Sequence, residues 1–138
     1  MTVIALTRTT PRPRVEIVES IEQRTLAADE AITPGDMVRI NGDRFTKGNG
    51  TTATEAAVYG MAVGDRVVPA GMAITAIKRG TVYGHTFDGN TNTKVYLSDT
   101  DGKIDTAAGT VSVVVGEIVP GTATPRGATP QKMLRIAL

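Results

Sequence analysis

The sequence predicts an all-β protein, a small barrel or sandwich of short antiparallel strands preceded by an extended N-terminal arm. Three observations predict it. Runs rich in Val, Ile and Thr alternate with turn residues roughly every 8 to 12 positions, the spacing of sandwiches and small barrels. Glycine (15) and proline (7) are frequent, and no segment keeps a helical apolar period for more than about one or two turns. Aromatic residues make up only 4% with no Trp, so the core must rest on Val, Ile, Leu, Met and Ala.

The 138 residues suit one domain over positions 15–138 with the arm at 1–14, because a chain of this size buries about two-thirds of its unfolded surface. With no Cys, disulfides and thiolate metal sites are excluded. Fifteen Lys and Arg against 14 Asp and Glu leave a formal charge of +1, which demands no nucleic-acid partner. No apolar run approaches the roughly 20 residues of a membrane helix. The start, "MTVIALTRTTPRPR", is not a secretory leader, because its Arg residues follow a very short apolar part.

In the arm, Pro11 and Pro13 fix φ and bias Thr10 and Arg12 toward extended backbone. Thr2, Val3, Ile4, Ala5 and Leu6 form a β-capable apolar run, and Arg8, Arg12 and Arg14 add a basic cluster. A frayed terminus is the plain reading. The alternative is a strand that pairs within its own subunit or with a neighbour. "RVEIVESIEQ" then gives a partial strand pattern, and "QRTLAADEAITPGD" a strand piece with a turn at Pro34-Gly35. "DMVRINGDRFTK" reads as a hairpin turning at Asn41-Gly42 in a type I′ turn. "KGNGTTATEAA" is a surface loop with one helical turn at residues 54–58.

"AVYGMAVGDRV" and "MAITAIKRGTVYG" are two more strands, with Gly80 and Gly84 marking bends or bulges. "HTFDGNTNT" is a loop with its tip at Asp88-Gly89-Asn90. "VYLSDTDGKID" folds back through Asp99-Thr100-Asp101-Gly102 as a second hairpin. "TVSVVVGEIV" is the longest β-branched run and reads as a central strand, with Gly116 at a bulge or close approach. "PGTATPRGATP" is a loop, and "QKMLRIAL" a closing strand of alternating faces.

Little in the chain carries chemistry. The single histidine, His85, reads as a polar surface group beside a turn, and catalysis would have to pass through it. Asp99, Asp101 and Asp105 resemble a calcium loop only superficially: Gly102 is fourth rather than sixth, and Thr110 stands where the bidentate Glu belongs. No phosphate-binding glycine motif and no G-x-S-x-G is present. No catalytic residue, cofactor or metal is assigned, and an enzyme is the least favoured class.

The order "ITPGDMVRINGDRFTKGN", "AAVYGMAVGDRVVPAGMAITAIKRGTVYG", "KVYLSDTDGKIDTAAGTVSVVVGEIV" resembles the small decoration (cement) proteins of tailed-bacteriophage heads over residues 32–119. The likeness rests on the order of turns and strands, not on reactive residues. It implies a compact β domain, often a homotrimer, made in the host cytoplasm and carried on the outer surface of the virion. There it binds where major capsid protein subunits meet and stabilises the shell. It implies no contact with nucleic acid or membrane, and an N-terminal segment that adds a strand to the capsid or to a neighbour. In this chain that segment is Thr2, Val3, Ile4, Ala5, Leu6, Arg8, Pro11, Arg12, Pro13 and Arg14. The alternative is a carbohydrate- or receptor-binding β module of another virion component, weakened by three Tyr, two Phe and no Trp.

Overall fold

A computed structural model describes residues 3–6, 9, 12–121 and 132–138. Nine strands run in chain order: β1 (Glu16–Ala28), β2 (Met37–Asn41), β3 (Arg44–Lys47), β4 (Gly60–Val63), β5 (Ala73–Tyr83), β6 (Lys94–Leu97), β7 (Ile104–Asp105), β8 (Val114–Pro120) and β9 (Lys132–Ala137). The described residues contain no helix, so the protein is all-β as the turn spacing predicts. The loop expected at "PGTATPRGATP" lies almost wholly outside the described residues.

All nine strands join one sheet in the order β1-β3-β2-β4-β5-β9-β8-β6-β7, and β1 also pairs with β5. The extra pairing closes β1, β3, β2, β4 and β5 into a five-stranded ring. Its lumen holds Ala28, Val38, Phe45, Ala62, Ile74 and Ala76, with Ile32 beside them. Every staple of the ring contributes, and three alanines leave room for Phe45, as a narrow barrel requires.

Side-chain alternation then divides the ring strands between two cores. Val38 and Ala62 point into the lumen, while their neighbours Met37, Met61 and Val63 join the larger cluster with Val82, Val95, Leu97, Ile104, Val115, Ile118, Leu134 and Ile136. This is why β4 is buried along its whole length.

β5 serves both halves. Along one edge it pairs with β1 from Ala73 to Tyr83. Along the other it pairs first with β4 through Thr75, Ala76 and Ile77, then with β9 through Arg79, Gly80, Thr81 and Val82. The sheet forks at Lys78, whose carbonyl accepts from the Leu138 N–H at 3.2 Å. The closing strand therefore completes this subunit's own sheet, between β5 and β8.

Several expectations shift. The two strand pieces expected between residues 15 and 30 are one strand of 13 residues, because β5 supports it throughout by absorbing three register shifts. β1 and β3 run parallel at Ala27 and Ala28, so the strands are neither all short nor all antiparallel. In the first hairpin Asn41 pairs with Arg44, so the loop is Gly42-Asp43. Gly42 has φ 66° and Asp43 no positive φ. Glycine first with positive φ only there is the type II′ pattern rather than type I′. The helical turn sits at 52–56, fixed by Ala56 N–H to the Thr52 carbonyl at 2.9 Å. The tip of the following loop lies near Asn92 (φ 69°) rather than at Gly89.

Pro34-Gly35 turns as expected, with Gly35 at φ 96° and Asp36 N–H on the Thr33 carbonyl at 3.0 Å. Gly116 marks both a register shift against β6 and a close approach: a Cβ there would lie 1.8 Å from the Arg135 carbonyl oxygen. Gly116→Ala is accordingly expected to cost at least about 3 kcal/mol in denaturant unfolding, since β8 and β9 must part. Gly89→Ala, whose added methyl meets only side-chain ends from 3.3 Å, is expected to cost less than about 1 kcal/mol.

Candidate functional site: the seat of the N-terminal arm

The arm residues that the structure describes lie on the body of their own subunit. Val3 bridges Asp105 and Leu6 bridges His85, both antiparallel. The Ile4 N–H donates to the Ile104 carbonyl at 3.0 Å, and the Ala5 carbonyl accepts from Thr86 N–H at 3.0 Å. Residues 3–6 thus form a short stave between β7, the last strand of the sheet, and the segment that follows β5. They tie the far edge of the sheet back toward its middle.

Ile4 is 8% exposed and belongs to the larger core, whereas Val3 and Ala5 face outward. Leu6 is half-buried and lies over Gly35, where a Cβ would sit 2.9 Å from the Leu6 Cδ2 and 3.2 Å from His85 Nε2. Gly35, at its positive φ, is therefore what admits both side chains. Beneath them the β6–β7 turn docks on the start of β2: Met37 N–H donates to the Gly102 carbonyl at 2.7 Å, and Gly102 N–H to that of Gly48 at 2.8 Å. Lys103 Nζ reaches the buried Asp36 Oδ1 at 3.1 Å, while Asp36 Oδ2 accepts from Thr33 N–H at 2.9 Å.

Of the other arm residues, Arg12 pairs with Asp65 at 3.7 Å, both exposed. Such an exposed pair contributes little to stability. Pro13 and Arg14 are half-buried, and Arg14 Nε is enclosed without a hydrogen-bond partner among the described residues. Thr2, Arg8 and Pro11 lie outside the described residues.

His85 is not the surface group its loop position suggests. It is 5% exposed, stacks obliquely on Phe87 at 5.9 Å, and its Nδ1 has no hydrogen-bond partner among the described residues. Burial pushes its pKa down to about 4, and the nearby Lys103 ammonium adds to the effect. The ring is therefore neutral near pH 7, a packing element under the arm. No local signal reveals this, because Leu6, Gly35 and His85 meet only in three dimensions.

Two hollows flank the stave. One, of about 320 Å³, is lined by Ile4, Phe87, Val95 and Ile118 with Asp88 and Lys94 among its polar groups. The other, of about 310 Å³, is lined by Leu6, Gly35, His85, Lys103 and Ile104. Among the described residues, two backbone hydrogen bonds contribute about 1 kcal/mol each, and burying Ile4 with part of Leu6 about 3 to 5 kcal/mol. Fixing four residues costs about 4 to 8 kcal/mol. Over the described residues these terms are of similar size.

The aspartates of "DTDGKID" do not converge. Asp99 caps Thr110, accepting from its N–H at 2.9 Å and its hydroxyl at 2.8 Å. Asp101 accepts from Asn49 Nδ2 at 3.1 Å, and Asp105 from Ala107 N–H at 3.1 Å. Among the described residues no group of three His, Asp or Glu side chains is placed to hold a metal ion. Compared with known proteins, the chain matches no family model and no curated sequence.

The depressed His85 pKa fixes a pH dependence. The unfolded ring takes up a proton near pH 6.5 but the native one only near 4. The unfolded state thus binds more protons between those values, and stability falls as pH drops through that window. Urea unfolding is expected to show a loss of about 2 kcal/mol from pH 8 to pH 5 in the wild type. In His85→Phe the loss over that range should vanish. Burial alone would raise the Glu30 carboxyl, but hydrogen bonds from Thr46 and Lys47 and the Lys47 charge hold it below its ordinary value. Its contribution is lost only at lower pH.

Proposed function

We infer that this protein is a capsid decoration protein, a cement that binds the outside of a phage head where major capsid protein subunits meet and stabilises the shell. The observation that carries the reading is the seating of residues 3–6: an extended stave that joins the free edge of the sheet through backbone hydrogen bonds and two apolar side chains. A segment so held exchanges its own seat for a strand edge on a partner. The exposed basic residue Arg12 follows it and supplies charge for an acidic neighbour.

The likeness to head decoration proteins supports the same reading. The turns on which it rests are turns of this fold, with Gly35, Gly42 and Gly102 all at positive φ. A trimer is the assembly the likeness implies, and three linked contacts raise avidity without any single strong one. The alternative, a carbohydrate- or receptor-binding module of another virion component, has its foothold in the hollow beside Phe87. That ring is 8% exposed and offers no open face for stacking on a sugar.

Co-sedimentation with purified heads tests the proposal. The full chain is expected to bind and to raise the temperature at which heads rupture, and a variant lacking residues 2–14 to bind at least about tenfold more weakly. Failure of the full chain to bind any head or capsid protein contradicts it.

A further inference from the structure

β1 overhangs the body. Its residues 16–25 are all exposed, although the strand pairs with β5 throughout. Three large apolar side chains stand on this stretch: Ile17 (45% exposed), Val18 (51%) and Ile21 (71%). Ile21 is the most exposed large apolar residue among those described. The register against β5 skips Val18 and again Ile21, so neither has a residue opposite it. Two skipped positions within five residues spoil the outer edge as a template for another strand, which is how natural edges avoid open-ended pairing. What the overhang offers is side chains.

Beside Ile21 runs a groove of about 470 Å³, lined by Glu19 and Ile21 from β1, Arg79 and Gly80 from β5, and Arg135 and Leu138 at the C-terminal end. Gly80 forms its bare floor. A Cβ there would lie 2.2 Å from the Glu19 carbonyl oxygen, so no side chain can fill the notch. The two walls differ in charge. Glu19 has no ion-pair partner among the described residues, whereas Arg79 and Arg135 stand opposite. Among the described residues Arg135 pairs only with the half-buried Glu117 at 3.7 Å, and Arg79 donates to the Leu138 carbonyl at 3.2 Å. A knob, a hole, an acid wall and a basic wall thus share one patch. Such a patch is complementary to itself: a two-fold axis through it places Ile21 of each copy in the groove of the other and Glu19 of each against Arg135 of the other.

We propose that this face is a contact between two copies of this chain, with Ile21 as its apolar anchor and the Glu19–Arg135 pair as its register. The contact uses neither the arm nor the hollows beside it, and it stands whether or not the protein binds a phage head. Light scattering at about 100 µM tests it. A two-fold contact builds even-numbered assemblies, so the wild type is expected to have two, four or six times the 14.4 kDa mass of one chain. Ile21→Asp should fall to half the wild-type mass or less, with association weakened at least about a hundredfold and an unchanged circular dichroism spectrum.

Glu19→Arg is expected to dissociate the assembly as well, and Glu19→Arg with Arg135→Glu to restore it, a rescue that a merely structural role does not give. A monomeric or a trimeric wild type overturns the proposal. An Ile21→Asp variant that keeps the wild-type mass overturns it too, as does a double swap that associates no better than Glu19→Arg alone.

Discussion

The constraint on which this fold depends is that β5 is paired along both edges for nearly its whole length. One edge takes β1, and the other takes β4 and then β9. Backbones crowd together there, and the sequence answers with glycine. A Cβ at Gly60 would lie 2.2 Å from the Ile77 carbonyl oxygen, and one at Gly80 equally close to that of Glu19. These glycines give up side-chain packing to let three chains run side by side. In return the five-stranded ring and the second half of the sheet share one central strand, and the molecule holds two apolar cores with no disulfide.

That arrangement leaves the two surfaces on which the proposed contacts rest. Because β1 follows β5 beyond the ring, its first ten residues are all exposed. Because β7 is the free end of the sheet, a stave is needed to close it, and residues 3–6 supply one. The two surfaces differ in kind. The arm seat is a strand site, built on backbone hydrogen bonds and two apolar side chains. The overhang is a side-chain site, its edge spoiled for strand addition by skipped residues and its groove floored by Gly80. Backbone recognition suits exchange between partners, whereas knob, groove and charge suit one geometry.

Much of this was legible in the sequence wherever the signal was local. Pro34-Gly35 and the Asp99-to-Gly102 turn fold as their residue types require, and the alternation of "QKMLRIAL" matches buried Leu134 and Ile136 against exposed Arg135 and Ala137. The Val-rich run is a central strand, because β6 and β9 flank it. Errors gather where long-range pairing decides. Asn41-Gly42 gave the right hairpin with the turn displaced by one residue, since register follows which faces of β2 and β3 are buried. The continuity of β1 is a property of β5, some fifty residues on, and the closure of the ring by a parallel β1–β3 pair has no local mark. In the candidate site the apolar run from Val3 to Leu6 was legible as β-capable, and it makes isolated bridges rather than a full strand. Its seat was not, because His85, Gly35 and Lys103 come from three separate turns.

The claim that β5 binds two half-sheets into one body is tested most directly by native-state hydrogen exchange along that strand. The account predicts that the amides of Ala76, Ile77, Val82 and their partners on β4 and β9 exchange most slowly and through one shared opening, with the same denaturant dependence on both sides of Lys78. If the amides paired with β4 instead open at a distinctly lower free energy than those paired with β9, the ring and the second half are separate units and the account is contradicted.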